Sequence, residues 1–155
     1  PYNYYRTFLA GQGIRPQPGE YVDAAGKVVG SHQGCPFYTI GQRKGLGVAL
    51  GYPAFVTGID VSANRITLGR HDELYSTTVR ARDVRIRDQR WLGESPQVEA
   101  RIRYRSAATP AILQMEATDK TITLQFAEPV WAPTPGQSLV MYKDGLVVGG
   151  GIIEN

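Results

Sequence analysis

The chain has 155 residues, of which 42% are hydrophobic and 20% are charged, and its formal net charge is +3. A chain of this length buries roughly 70% of the surface that its unfolded form exposes, which is enough to fold without disulfides. It has one cysteine and two histidines, His32 and His71, which excludes an intramolecular disulfide and argues against a zinc or iron–sulfur site. No apolar run of about 18 residues and no secretory signal are visible, so we expect a cytoplasmic protein without a membrane span.

Short apolar segments recur along the chain with a period of two, separated by many of its 18 glycines and 10 prolines. This pattern is typical of β-strands and predicts a mainly β fold. Only the start of the chain has a helical pattern, with Asn3 capping a helix over Tyr4–Leu9. Short turn sequences predict three hairpins, formed by Tyr21–Asp23 with Lys27–Val29, Ile59–Val61 with Arg65–Leu68, and Leu139–Tyr142 with Leu146–Val148.

The glycine-rich stretch SHQGCPFYTIGQRKGLG contains a loop in which Gly41, Gly45 and Gly47 surround two cations and a glutamine. Glycines beside cations let backbone amides and side chains approach a phosphate together. The spacing matches neither GxxxxGK[ST] nor GxGxxG, so it does not predict a nucleotide P-loop. A glycine-rich loop that is merely polar is the equally weighted alternative.

Cys35 lies in the same stretch and is a candidate nucleophile. The nearest histidine, His32, has no carboxylate nearby in sequence to orient it. We therefore predict that Cys35 is a small apolar residue of the core. Further along the chain, Thr134-Pro135-Gly136-Gln137 predicts a type II turn with an exposed Gln137 side chain.

The stretch from Arg80 to Arg105 contains eight arginines and four acidic residues, a net charge of +4. The arginines move from even to odd positions between Arg82 and Arg85, which predicts a bulge or kink near Asp83. The planar guanidinium of arginine donates paired hydrogen bonds to phosphate oxygens and stacks on bases, so the stretch indicates an RNA-binding surface. A solvated face of a β-barrel, partly neutralised by its acids, is the alternative.

Apolar and charged residues alternate from Val98 to Arg105. In a strand, successive side chains point to opposite faces. The alternation therefore predicts that Arg103 faces solvent and that Tyr104 points inward. On that basis we expect an Arg103 substitution to weaken RNA binding and a Tyr104 substitution to cost folding stability.

Four motifs, HQGCPFYTIGQRKGLG, RYRSAATP, FAEPVWAPTPGQSLVMY and GGGIIEN, resemble the C-terminal half of the bacterial tRNA-specific 2-thiouridylases. The resemblance covers essentially the whole chain in order. It implies a small central β domain, residues 1–72, followed by a C-terminal β-barrel, residues 73–155, resembling the second domain of elongation factor Tu. A polar stretch over His71–Ser76 marks the same boundary.

Members of that family use ATP to activate C2 of the wobble uridine of tRNA and then add sulfur there. The resemblance implies that the full-length enzyme needs ATP with magnesium and a sulfur-donor protein. The family's SGG-x-DSS phosphate loop and its two catalytic cysteines do not occur in these 155 residues, and Cys35 matches neither cysteine. We therefore expect this fragment to be inactive alone, without a catalytic residue, a metal or a cofactor of its own, and to have no membrane partner.

Matching residues of three motifs are implied to contact tRNA: Arg103, Tyr104, Gln137, Gln42, Arg43 and Lys44. For the last three, which form the GQRKG loop, support of the active site is the other role left open. The alternative function is a free-standing β-barrel module that binds the ribosome or a protein partner. An SGG-x-DSS loop and a GxCF motif in the reading frame upstream of these residues would favour the thiolating enzyme over the free-standing module.

Overall fold

The computed structural model describes residues 11–13, 16–91, 96–115 and 120–154. Ten β-strands and three short 3-10 helices form from these residues, which confirms the mainly β fold. The chain divides into two compact units, Pro1–Leu74 and Tyr75–Asn155. The helix predicted over Tyr4–Leu9 lies outside the described residues.

The first unit contains a sheet of four strands in the order β2-β1-β4-β3, which are β1 (Gly19–Val22), β2 (Val28–His32), β3 (Phe55–Asp60) and β4 (Arg65–Gly69). Strands β1 and β4 are parallel, whereas β1 with β2 and β3 with β4 form the two predicted antiparallel hairpins. In the first hairpin turn, the Asp23 carboxylate accepts the amides of Ala25 and Lys27 at 3.0 and 2.9 Å. The 3-10 helices of this unit cover Cys35–Phe37 and His71–Leu74.

The core of the first unit is built around an aromatic cluster. Tyr21 is fully buried, and its ring contacts those of His32 and Tyr38 at centroid distances of 5.3 and 5.8 Å. The Tyr21 hydroxyl donates to the Leu46 carbonyl at 2.9 Å. This bond ties the segment after the GQRKG loop to the sheet, so the core positions that loop.

The second unit is a closed barrel with strands in the order β10-β5-β8-β7-β6-β9. These strands are β5 (Tyr75–Ile86), β6 (Gln97–Arg101), β7 (Thr109–Met115), β8 (Ile122–Trp131), β9 (Ser138–Lys143) and β10 (Leu146–Ile153). All six neighbouring pairs are antiparallel. The β9–β10 hairpin turns at Asp144 and Gly145, both with positive φ, as the Asp-Gly sequence predicts.

The predicted kink in β5 is present at Asp83. This residue has a φ of 52°, and the pairing of β5 with β10 shifts register at the same place. The shift keeps Ala81 and Val84 inside the barrel while Arg82 and Arg85 both face outward. One extra residue thus explains why the arginines change from even to odd positions.

Candidate nucleic-acid interface

The sequence RYRS forms a tight turn between β6 and β7. The Ser106 amide donates to the Arg103 carbonyl at 3.1 Å, so Tyr104 and Arg105 occupy the two central positions of a β-turn. The Ser106 hydroxyl accepts the Arg103 amide at 3.2 Å and donates to the Arg103 carbonyl at 2.9 Å. Both corner side chains are exposed, and Tyr104 keeps 92% of its accessible surface. We call Arg103–Ser106 the tyrosine turn.

Arg103 itself is half-buried, and we call its contacts with Ala132, Thr134 and Trp131 the latch. One guanidinium nitrogen donates to the Ala132 carbonyl at 2.8 Å and to the Thr134 hydroxyl at 3.0 Å. The guanidinium carbon lies 5.1 Å from the centre of the Trp131 ring. Burial lowers the pKa of Arg103. The latch joins the tyrosine turn to the segment between β8 and β9.

The orientations predicted for Arg103 and Tyr104 are therefore wrong. Strand β6 ends at Arg101, and the chain turns before the alternation reaches Tyr104. Val98, Ala100 and Ile102 do point inward as predicted. Beyond them the turn exposes the tyrosine and folds the arginine back onto the barrel.

The TPGQ turn lies next to the latch. The Gln137 amide donates to the Thr134 carbonyl at 3.1 Å and Gly136 has a φ of 84°, as the predicted type II turn requires. Backbone hydrogen bonds of 2.9 Å from Gly136 to the Ile153 carbonyl, and from Ile153 to the Gln137 carbonyl, fix the turn to β10. The Gln137 side chain is exposed as predicted. Because Arg103 bonds Thr134, the structure brings the two barrel motifs together at one end.

The GQRKG loop of the first unit is held by its own glutamine. The Gln42 side-chain oxygen accepts the Thr39 amide at 3.1 Å, and its nitrogen donates to the Lys44 carbonyl at 2.9 Å. Gly41 and Gln42 also exchange backbone hydrogen bonds of 2.8 and 2.9 Å with Val56 on β3. Gln42 therefore shapes the loop, a role that the sequence did not reveal.

Arg43 and Lys44 project from this braced loop. Both are exposed, and neither side chain has an ion pair or hydrogen bond within the described residues. Arg43 and residues 45–54 line an open cleft of about 610 Å³. No helix follows the loop between Gly41 and Phe55, so the helix N-terminus that a nucleotide phosphate loop uses is missing from this segment. The two exposed cations therefore project from a loop that lacks this feature of nucleotide phosphate loops.

Cys35 is buried, and its sulfur lies 3.8 and 3.9 Å from the carbonyl oxygens of Asp60 and Arg65. Burial raises the pKa of this thiol, which disfavours the thiolate that a nucleophile requires. His32 accepts the Gly34 amide at Nδ1 (3.0 Å) and contacts the Asn64 carbonyl through Nε2 (3.2 Å). Burial lowers the pKa of His32, so it is a neutral core residue. The structure thus confirms the core position predicted for Cys35.

The barrel arginines fall into two groups. Arg80, Arg82 and Arg90 each lie within ion-pair distance of a carboxylate, on Glu154, Asp83 and Asp88 respectively. The second group has no carboxylate partner within the described residues and comprises Arg85, Arg87, Arg101, Arg103 and Arg105. The positive charge without a neighbouring carboxylate is thus concentrated on this second group, although the Arg103 guanidinium is engaged within the barrel.

The described residues contain no group of three or more histidine, cysteine, aspartate or glutamate side chains that could hold a metal ion. None of their helices is long and apolar enough to cross a membrane.

Two family models match the chain in succession. Residues 6–70 match the tRNA methyl transferase PRC-barrel domain, and residues 79–153 match the aminomethyltransferase beta-barrel domain. Together with the observed sheet and closed barrel, these matches define a two-part β protein of the tRNA-modification class.

Relatives named tRNA-specific 2-thiouridylase MnmA align with nearly the whole chain. The protein of Heliobacterium modesticaldum is 42% identical over 99% of this chain and 40% of the relative. That of Synechococcus sp. strain JA-3-3Ab is 43% identical over 99% and 41%, and that of Desulforudis audaxviator is 45% identical over 97% and 43%. The chain belongs to the tRNA-specific 2-thiouridylase family, and it spans about 40% of the length of these relatives.

Proposed function

We propose that this chain is the tRNA-binding and tRNA-positioning part of an enzyme that adds sulfur to C2 of the wobble uridine of tRNA. The observation that carries the proposal is the tyrosine turn, which holds an aromatic ring 92% exposed beside an exposed arginine. Aromatic rings and guanidinium planes are the groups on which unpaired RNA bases stack.

The latch makes this presentation rigid. Arg103 ties the tyrosine turn to the TPGQ segment through two hydrogen bonds, so Tyr104 and Gln137 are held at one end of the barrel. Preorganised groups bind with less loss of conformational entropy than mobile ones. Tyr104 and Arg105 therefore contact the RNA directly in our proposal, Gln137 supplies an exposed amide, and Arg103 positions the turn.

In the first unit, Arg43 and Lys44 supply phosphate contacts, and Gln42 holds them in place. This assignment follows from their exposure and from the use of both ends of the Gln42 amide within the loop. RNA contact is thus the role we propose for the loop, through its two cations.

The chemistry of thiolation lies outside these 155 residues in our proposal. They contain no SGG-x-DSS sequence, and their one cysteine is buried with a raised pKa. ATP, magnesium and a sulfur-donor protein serve the full-length enzyme in the cytoplasm. This chain contributes by holding the target base where the nucleophile can reach it, and such positioning supplies a large part of many rate enhancements.

The test is the affinity of the chain for fluorescently labelled tRNA, compared among the wild type and two variants at Tyr104. Tyr104→Ala should weaken binding by about 1 to 3 kcal/mol, the usual contribution of one stacked base. Tyr104→Phe keeps the ring and should bind within about twofold of wild type, because stacking does not need the hydroxyl. Equal binding by all three proteins would contradict the stacking role.

A barrel module that binds the ribosome or a protein partner is the second candidate, favoured by the exposed apolar residues Leu146 and Val147 on β10. It predicts no dependence of tRNA affinity on Tyr104. Co-sedimentation with ribosomes, unchanged in Tyr104→Ala, would support it against the first proposal.

A further inference from the structure

Two tyrosines are exposed among the side chains that the structure describes. Tyr104 occupies the tyrosine turn and is 92% exposed, and Tyr75, the first residue of β5, is 49% exposed. The proposed function uses Tyr104 and leaves Tyr75 without a role. The strand pairing and the latch place both tyrosines at the same end of the barrel.

Tyr75 lies beside Trp131 on the outer face of the barrel. The two residues are directly opposed in the antiparallel pairing of β5 with β8. Opposed side chains share one face of a sheet, with their Cβ atoms about 5 Å apart. Val130, the neighbour of Trp131 along β8, is buried in the barrel core, so Trp131 and Tyr75 point outward. We call Tyr75 and Trp131 the aromatic pair.

The latch joins the aromatic pair to the tyrosine turn. The guanidinium carbon of Arg103, the first residue of the turn, lies 5.1 Å from the centre of the Trp131 ring. Only β8 separates β5 from β7, the strand that follows the turn, so the axes of β5 and β7 lie at most about 10 Å apart. The two exposed tyrosines therefore flank the latch at one end of the barrel.

The surface between the two tyrosines is preformed. Residues 132–137 lead from β8 to β9, which are not neighbours in the barrel, so this segment crosses the end of the barrel. Ala132 and Thr134 are buried beneath it, and Pro133 and Pro135 restrict its backbone. A rigid surface of this kind binds a ligand with little loss of conformational entropy.

The surroundings of the aromatic pair favour a nucleobase over a phosphate group. Neither Tyr75–Val79 nor Pro129–Gln137 contains a charged residue. The Arg103 guanidinium already donates to Ala132 and Thr134, and Glu128, three residues before Trp131, is an exposed carboxylate that repels phosphate. An aromatic face without a free cation beside it offers stacking rather than ionic contact.

We propose that the aromatic pair is a second stacking platform, on which an unpaired base of the same RNA stacks against the Tyr75 ring beside Trp131. The inference rests on the proposed function and extends its site across the latch. Because every base has a π face, the platform accepts any base. Two platforms on one rigid surface fix the direction of the RNA strand as well as its position, since two points define a line.

The first test compares the affinities of Tyr75 variants for labelled tRNA. Tyr75→Ala and Tyr75→Leu should each weaken binding by roughly fivefold or more, since neither side chain has a ring on which a base can stack. Tyr75→Phe keeps the ring and should bind within about twofold of wild type, as should the control Met115→Ala. Met115 is a matched control because it is 41% exposed at the opposite end of β7 from the tyrosine turn. Equal affinities for Tyr75→Ala and Tyr75→Phe would overturn the platform.

The second test separates stacking from phosphate contact through the dependence of affinity on salt. Tyr75→Ala should leave the log–log salt slope within about 0.3 of wild type, whereas Arg105→Ala should make it shallower by about 0.7 to 0.9. A slope that Tyr75→Ala makes shallower by as much as Arg105→Ala does would show that Tyr75 supports a phosphate contact, and the stacking platform would be wrong.

The third test uses Trp131 as a reporter. The chain has two tryptophans, Trp91 and Trp131, and Trp91 belongs to the 3-10 helix Gln89–Trp91 that follows the far end of β5. In Trp91→Phe, saturation with tRNA should lower the tryptophan emission, because a base stacked beside an indole ring quenches it. Trp131→Phe, which keeps Trp91 as the reporter, should show a smaller change. An emission from Trp131 that tRNA leaves unchanged would contradict the platform.

The two proposals fail in different ways. If the wild-type chain binds no tRNA at about 50 mM salt, the proposed function fails, and the platform fails with it. If Tyr104→Ala weakens binding while Tyr75→Ala behaves like Met115→Ala, RNA binding stands and only the platform is refuted. Far-ultraviolet circular dichroism of every variant verifies that it is folded before it is titrated.

Discussion

Arg103 is the residue for which the sequence and the structure make opposite predictions. The structure predicts that Arg103→Ala destabilises the second unit, because the change removes two charge-assisted hydrogen bonds and the contact with Trp131. The Ala132 carbonyl keeps one partner, since the Thr134 hydroxyl also donates to it at 3.0 Å. No buried acceptor is stranded, so we expect the loss to be about 2 to 3 kcal/mol rather than more.

Thermal unfolding followed by circular dichroism measures this loss. For a domain of 60 to 100 residues, about 1 kcal/mol shifts the midpoint by roughly 4 to 8 °C, so Arg103→Ala should lower the transition of the second unit by roughly 10 to 20 °C. Arg105→Ala is the control, because Arg105 is exposed in the same turn and has no partner within the described residues. It should shift the midpoint by less than about 4 °C. A shift for Arg103→Ala as small as that of the control would refute the latch and restore Arg103 as a free cation.

Three further predictions concern the first unit and the missing chemistry. Gln42→Ala should lower the free energy of unfolding in urea by about 1 to 2 kcal/mol, because both the oxygen and the nitrogen of its side-chain amide hydrogen-bond within the loop. The control, Arg43→Ala, should lower it by less than about 0.5 kcal/mol. Equal losses would contradict the structural role of Gln42. The lowered pKa of His32 means that the unfolded chain binds the proton more readily, so stability should fall as pH drops below the ordinary value of 6.5, and the fall should be smaller in His32→Gln. Calorimetric titration with magnesium and ATP should give no saturable heat, and a micromolar signal would show that a nucleotide site exists within these residues.

Much of the fold follows from local patterns that are independent of long-range contacts. The three hairpins, the bulge at Asp83 and the type II turn at Gly136 each depend on a few neighbouring residues with a fixed conformational preference. The inward faces of Val98 and Ala100 follow from the period of two, which holds as long as a strand continues. These features could be predicted because the physical cause lies within a short window of sequence.

The side-chain roles at the candidate site could not be predicted in the same way. The alternation that assigned Tyr104 to the interior assumes a strand, and β6 ends at Arg101. A serine three residues after Arg103 was the available signal for a turn, since Ser106 closes it through its hydroxyl. The partners of the Arg103 guanidinium, Ala132 and Thr134, lie about 30 residues away, so only the tertiary structure reveals them.

Equilibrium binding of labelled tRNA to the wild-type chain, repeated at several salt concentrations, tests the central claim most directly. If the chain positions tRNA through its exposed cations, the logarithm of the affinity should fall linearly with the logarithm of the salt concentration. The slope should be about −0.7 to −0.9 for each phosphate contact, and at least three contacts are expected, from Arg105 of the tyrosine turn and from Arg43 and Lys44 of the GQRKG loop. An affinity that does not change with salt, or no binding at about 50 mM salt, would contradict the account.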